Sequence, residues 1–314
     1  MRMPPAILIH GPTASGKTDL SIALAKELGG EIINSDAMQV YTDLSILSAR
    51  PSEAEVAQAP HHMFGHVDGA ERYSTGLWLK DAIERIEEIQ SRGKVPILAG
   101  GTGLYLSALV HGLSKVPDVP EDIKRDTLAQ IEADREAAHE TLSLVDPEAA
   151  ARIKPLDIQR LTRALEVFYH TGKPITSFQT PEPPYFKKGE WVGFALTPDR
   201  AELYARINSR YDKMLETGAP DEARVLYERG LPSDLPIMRA HGMPGFCEYF
   251  NGKVSLEESI ERGKRDTRRY AKRQFTWIAH QFPLWARIPS KCLDVRKKVI
   301  CSIHHEIDER DFNG

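Results

Sequence analysis

The chain opens on an unbroken apolar run, AILIH (6–10), which has the length of a buried strand. Behind it the pattern changes period: Leu20, Ala23, Leu24 and Leu28 recur at helical spacing, and Gly29-Gly30 is a stop signal. EIIN (31–34) predicts a second strand, 75–92 an amphipathic helix and 95–99 a third strand. A glycine turn (100–103) and a helix over 104–112 follow. Residues 115–154 are polar, helical in pattern and bounded by prolines, as an insertion or lid over a site would be. A helix over 157–170 ends at Gly172, and 190–200 reads as a strand. From 201 onward helical patterns dominate, broken over 230–245, and beyond Pro289 no periodicity is clear. Strands alternating with helices predict an α/β fold with a parallel sheet. The expected division is a phosphate-loop NTPase/kinase-like core over 1–115 and 155–200, a helical insertion over 116–154 and a mainly helical part over 201–314.

Between the first strand and the first helix lies GPTASGKT, the phosphate-loop spacing at Gly11, Pro12, Thr13, Ala14, Ser15, Gly16, Lys17 and Thr18. Glycines let backbone amides turn inward around an anion, lysine brings a point charge, and the threonine hydroxyl helps hold Mg²⁺. Strand, loop and helix N-terminus together make an anion site. Asp36 follows the second strand, and ligands of open α/β sheets sit outside such strand ends. Asp36 therefore either faces the loop or serves as a turn or cap aspartate. Thr102 lies in the second glycine turn at the same sheet edge. His61 and His62 have no third ligand at sensible spacing and read as loop or packing residues.

Charge changes the picture in one place. A net charge of −4 excludes a globally basic nucleic-acid binder, and 41% hydrophobic with 27% charged residues fits a folded, soluble chain. Yet 262–277 carries Arg262, Lys264, Arg265, Arg268, Arg269, Lys272 and Arg273 against one acid, Asp266. Arg265, Arg268, Arg269 and Lys272 share helical spacing, with Tyr270, Phe275 and Trp277 interleaved. Such a run either contacts nucleic-acid phosphates or is a solvated face; the scarcity of neutralising acids favours phosphates. Three cysteines, Cys247, Cys292 and Cys301, make no disulfide framework and suit a reducing cytosol. CSIHHE (301–306) fits no common zinc spacing. The N-terminus leaves no room for a signal peptide, and no apolar run is long enough to span a membrane.

Several stretches taken in order resemble one family, the bacterial tRNA dimethylallyltransferases: GPTASGKT (11–18), EIINSDAMQVY (31–41), PILAGGTGLYL (96–106), DIQRLTRALEV (157–167) and TRRYAKRQFTW (267–277). The resemblance implies transfer of a dimethylallyl group from dimethylallyl diphosphate to N6 of the adenine 3′ of the anticodon in tRNA, with diphosphate leaving. It implies that residues 11–18, Arg206 and Arg210 hold the diphosphate, with Mg²⁺ on Thr18. It makes Asp36 the general base, with Thr102 beside it. It places a tRNA anticodon stem-loop on Asp36, Ala37, Met38, Gln39 and Thr102, on Lys124, Gln159, Arg160 and Arg163 of a tRNA-facing insertion, and on Arg268, Arg269, Lys272 and Arg273. The implied enzyme is a cytoplasmic monomer with a nucleotide-binding (ATP-type) loop and no membrane contact. Two departures stand out: LSILSARP (44–51) where the family reads close to LDIGTAKP, and Gly245 where it tends to carry an acid. The chief alternative is a nucleotide or small-metabolite kinase, although strand 95–99 ends in glycine and not in a Mg²⁺-holding aspartate. A nucleotide-dependent RNA-binding regulator without chemistry is a third reading; it would leave Asp36 idle.

Overall fold

The computed structural model describes residues 4–288, 294, 296–298, 300 and 301. Cys292 and residues 302–306 of the Cys-His stretch lie outside the described residues. Six parallel strands form one sheet in the order β3-β2-β4-β1-β5-β6. They are β1 (Ala6–His10), β2 (Glu31–Asn34), β3 (His61–His62), β4 (Pro96–Gly100), β5 (Trp191–Leu196) and β6 (Ala286–Ile288). His61 and His62, read from sequence as loop residues, form the edge strand beside β2.

Central β1 is apolar without alternation because both its faces are covered. Ala6 and Leu8 pack toward α3 (Thr75–Ser91) and α4 (Gly103–His111), through Trp78, Ile86, Leu106 and Leu109. Ile7 and Ile9 pack toward α1 (Lys17–Leu28), through Leu20 and Leu24. Between β2 and α3 runs the short α2 (Glu53–Val56). Register places Asn34 beside Ala99 and His10 beside Gly100. The loop after β1, the turn after β2 and the turn after β4 therefore leave the sheet at one level, the carboxyl edge where such sheets bind ligands.

Residues His111–Pro184 form a compact unit of their own. It contains α5 (Glu121–Ala133), α6 (Arg135–Val145), α7 (Pro147–Arg152) and α8 (Ile158–Thr171), packed around Ile131, Ala138, Leu142, Leu161 and Leu165. Buried Asp146 fastens this unit: its Oδ1 accepts from the Ala149 amide at 3.0 Å and its Oδ2 from the Thr176 amide at 3.0 Å. The unit is wider than the 116–154 insertion expected from the prolines. The helix read as part of the core, α8, is amphipathic and buries its apolar face against α5 and α6, so it belongs here.

The main unit is completed by α9 (Arg200–Glu216), α10 (Ala219–Glu228), α11 (Met243–Phe250) and α12 (Leu256–Gln281). A capping box of Ser255 and Glu258 starts α12. Ala271 of α12 packs on Leu203 and Ile207 of α9. Gly245 has a packing reason: a Cβ there would stand 3.0 Å from the Ser259 carbonyl, where α11 meets α12. Among the described residues no helix is long and apolar enough to cross a membrane.

Two leucines of α6 test the core of the smaller unit. Leu142 is fully buried and Leu144 is 84% exposed. Leu142→Ala should destabilise by about 2–5 kcal/mol, and Leu144→Ala by no more than about 0.5 kcal/mol. Urea unfolding of the two variants, followed side by side, measures the contrast.

Candidate active site

The phosphate loop closes as its residue types require. Gly16 caps α1 in the left-handed conformation at φ 83°, which a side chain would strain. Lys17 is half-buried at the cavity wall, and its Nζ donates to the Gly11 and Pro12 carbonyls, both at 2.9 Å. Burial lowers its pKa to about 8; the Asp36 carboxylate opposes that shift and Arg210 adds to it. Not every loop amide is offered to an anion. The Ser15 amide donates to the Pro12 carbonyl at 3.2 Å and the Thr13 amide to Gln274 Oε1 at 2.9 Å. The amides of Lys17 and Thr18 open the first turn of α1, where no intrahelical acceptor exists. The neighbouring His10 is fully buried, and burial, with Lys17 beside it, lowers its pKa to about 3. His10 is therefore neutral at working pH and adds no charge to the loop.

The turn after β2 is pinned from two sides. Asp36 Oδ1 accepts from the Met38 amide at 3.0 Å, and Thr102 Oγ1 accepts from the Ala37 amide at 2.9 Å. Asp36 thus fills the turn-aspartate role and also faces the loop, since its carboxylate acts on both Lys17 and Arg210. Gln39, placed by the resemblance among the tRNA contacts, donates its Nε2 to the carbonyls of Ser48 and Ala49 at 3.0 and 2.8 Å. Its reach is taken up by the 44–51 loop. That loop has a second anchor that sequence reasoning missed: the Glu222 carboxylate of α10 accepts from the amides of Ser45, Ile46 and Leu47 at 2.7–2.8 Å and from Ser45 Oγ at 2.9 Å.

One cavity of about 840 Å³ brings these parts together, lined among others by Lys17, Thr18, Asp36, Gln39, Arg206 and Arg210. Arg210 is half-buried, and its Nη2 donates to Thr13 Oγ1. Burial lowers the Arg210 pKa and Asp36 opposes that shift. Thr102 stands on the neighbouring turn, joined to this site through Ala37. Two further residues touch the loop from a distance in sequence. Gln274 is the partner of Thr13 just described, and Arg296 Nη2 donates to the Gly16 carbonyl at 2.8 Å. Gln274 had a faint signal, a polar residue in the inward stripe of α12 between Ala271 and Ile278. Arg296 had none.

The basic run lies on α12, but its acids come from other elements as well. Arg262 pairs with Glu248 of α11 and Lys264 with Asp212 of α9 at 2.7 Å. Arg268 is half-buried and donates to Asn208 at 2.6 Å, so it leaves the outward face on which sequence spacing had placed it. Arg265, Arg269, Lys272 and Arg273 remain exposed on one side. In the smaller unit, Lys124 pairs with Glu121 at 2.6 Å and Arg160 with Asp157 at 3.1 Å. Arg163 donates to the Pro117 carbonyl at 2.9 Å, and Gln159 is exposed. Residues 111–184 hold nine basic against thirteen acidic residues, so this unit presents no excess of positive charge.

Known proteins match this arrangement along the whole chain. A family model described as IPP transferase matches residues 39–281, and one described as isopentenyl transferase matches residues 4–64. A tRNA dimethylallyltransferase of Hyphomonas neptunium is 52% identical over 311 residues, 98% of each chain. One of Beijerinckia indica is 49% identical, covering 90% of this chain and 94% of its own. The crystal structure of a tRNA isopentenylpyrophosphate transferase from Bacillus halodurans superposes with a TM-score of 0.71 at 36% identity, over 98% and 99% of the two chains. A eukaryotic dimethylallyltransferase acting on tRNA superposes with a TM-score of 0.75 at 31% identity, over 93% of this chain and 75% of that one. No kinase is needed to account for the phosphate loop, and the kinase alternative is set aside. A family model over most of the chain and half-identical relatives over nearly all of it establish that the chain belongs to the tRNA dimethylallyltransferase family.

Proposed function

We propose that this chain transfers a dimethylallyl group from dimethylallyl diphosphate to N6 of the adenine 3′ of the anticodon in tRNA. The observation that carries this reading is the single cavity holding Lys17, Arg210 and Asp36. It sets cations for a departing diphosphate beside a carboxylate able to take a proton. N6 attacks the allylic carbon, the carbon–oxygen bond to diphosphate breaks, and the N6 proton passes to the Asp36 carboxylate. Lys17 exchanges its carbonyl partners for the diphosphate, whose growing charge it meets together with Arg206, Arg210 and the amides of the first turn of α1. Thr18 and the oxygens of the diphosphate offer an all-oxygen donor set of the kind Mg²⁺ takes. Bound there, Mg²⁺ would neutralise leaving-group charge. The adenine reaches the cavity by leaving its stack in the anticodon loop. The exposed face of α12 supplies the RNA phosphate contacts, with Gln159 and Arg160 of the smaller unit as secondary ones. The site is built within one chain, which supports a monomer, and the sparse cysteines suit the cytoplasm.

Transfer of label from labelled dimethylallyl diphosphate to unmodified tRNA, with Mg²⁺ present, tests the whole reading. In the same assay Asp36→Asn should lower the single-turnover rate by about 10²–10⁴ with both substrates still bound. A near-native rate would remove Asp36 from the role of base.

The Lys17 value near 8 gives a pH dependence. The ammonium form binds the diphosphate and is lost as pH rises through 8, so pyrophosphate affinity should fall about tenfold between pH 7 and 9. Lys17→Met should bind more weakly throughout and lack that step. Calorimetric titration at several pH values compares the two.

Replacing Arg269, Lys272 and Arg273 together by Ala should weaken tRNA binding and lower its log–log salt slope by about 0.7–0.9 per lost phosphate contact. Pyrophosphate affinity should stay put. An unchanged slope would return this face of α12 to ordinary solvation.

A further inference from the structure

The inward side of α12 is as specific as its outward side is charged. Gln274 is 3% exposed and reaches two separate turns. Its Oε1 accepts from the Thr13 amide at 2.9 Å, on the loop after β1. Its Nε2 donates to the Gly101 carbonyl at 2.8 Å, on the turn after β4. Each end has a second tie. The Tyr270 hydroxyl, one helical turn earlier, donates to the same Gly101 carbonyl at 3.2 Å, and Arg210 holds the Thr13 side chain. The fit around Gly101 is close: a Cβ there would lie 2.4 Å from Gln274 Nε2 and 3.0 Å from Asp36 Oδ2. The turn is glycine because the carboxamide and the carboxylate both press against it.

The two turns have opposite needs. Thr13 offers an N–H and Gly101 offers a C=O, the first half-buried and the second buried against the helix. A carboxamide answers both at once, accepting at one end and donating at the other. A carboxylate cannot donate, and an ammonium cannot accept. The diphosphate cradle follows β1 and Asp36 follows β2, while the turn after β4 borders Asp36 at Gly101 and holds the Asp36 turn through Thr102 Oγ1 and the Ala37 amide; the reaction needs the leaving oxygen and the proton acceptor in one register. A displacement of about an ångström is enough to slow such a step a hundredfold.

We infer that Gln274 is a positioning residue of this site: its carboxamide fastens the phosphate loop at Thr13 to the glycine turn at Gly101 and so fixes the spacing between the diphosphate cradle and Asp36. The inference rests on the reading of the cavity as the diphosphate and adenine site. It gives the glutamine of the basic run a task distinct from RNA contact, and it explains why one loop amide is withheld from the anion.

Two variants test it, through pyrophosphate binding, binding of an unmodified anticodon stem-loop RNA without diphosphate, and single-turnover transfer at saturating substrates. Gln274→Met keeps length and volume and removes both hydrogen bonds. It should weaken pyrophosphate binding about tenfold and slow transfer about a hundredfold. RNA affinity should match wild type, while the melting temperature falls modestly, because the Thr13 amide loses its acceptor and the Gly101 carbonyl keeps only Tyr270. Gln274→Glu carries a second signature. Its protonated carboxyl can accept from Thr13 and donate to Gly101, whereas its carboxylate cannot donate. Its rate relative to wild type should therefore rise as pH falls. The inference is overturned if Gln274→Met transfers at the wild-type rate. It is equally overturned if that variant loses RNA binding in step with rate, or if the Gln274→Glu ratio is flat with pH. Should the wild-type chain fail to prenylate RNA, the proposed function falls, and the pyrophosphate and RNA arms still decide whether Gln274 holds the loop.

Discussion

A lysine ammonium taken out of water is the constraint around which this molecule is arranged. Lys17 is held by two carbonyls of its own loop at 2.9 Å, and nothing in that arrangement neutralises it fully. Burying a charge is expensive unless partners surround it. The surroundings meet that demand in graded fashion: dipoles at close range, the Asp36 carboxylate farther off, and a neutral His10 behind. The cavity lining sets Lys17, Arg50, Arg206, Arg210 and Lys213 against Asp19, Asp36, Glu53 and Glu55. On the function proposed above, an entering diphosphate is the anion that the loop cation is kept for.

From that constraint the role of α12 follows. A loop that must hold a buried cation ready for an anion has to be braced by something other than an anion. Neutral groups do part of this, Gln274 on Thr13, Tyr270 on Gly101 and Thr102 on Ala37, and two arginines do the rest, Arg210 on the Thr13 hydroxyl and Arg296 on the Gly16 carbonyl. Of the charged residues of the same helix, Arg265, Arg269, Lys272 and Arg273 lie on its solvent side. One helix thus carries neutral bracing on its inward face and exposed positive charge on its outward one.

The parts legible in the sequence were those that act over short spans. GPTASGKT announces itself by spacing, and the runs at 6–10 and 31–34 gave their strands to the residue because buried parallel strands carry continuous apolar stretches. Asp36 was found because its place after a strand follows from topology. What escaped were contacts between residues far apart in the chain: Glu222 on the amides of 45–47, Gln274 on Thr13, Arg296 on Gly16. No periodicity encodes such pairs. The partners of Arg262 and Lys264 in the basic run escape for the same reason. Its neutralising acids, Glu248 and Asp212, sit on α11 and α9 and are invisible from the run itself. The smaller unit was drawn too narrow because prolines mark where helices stop, whereas a unit ends where its buried contacts end.

The root of that smaller unit has one more consequence. Its two ends run side by side: the Glu182 amide donates to the Leu113 carbonyl at 3.2 Å, and Ser114 bridges Pro181 in antiparallel fashion. The chain leaves the β-sheet core and returns to it through one stitched neck. A polymer closed at its neck imposes almost no closure entropy on the strands to either side, however long the excursion. The separation at which the chain departs after β4 and returns before β5 is thus set by residues 113, 114, 181 and 182, and not by the length of the helices between 115 and 180.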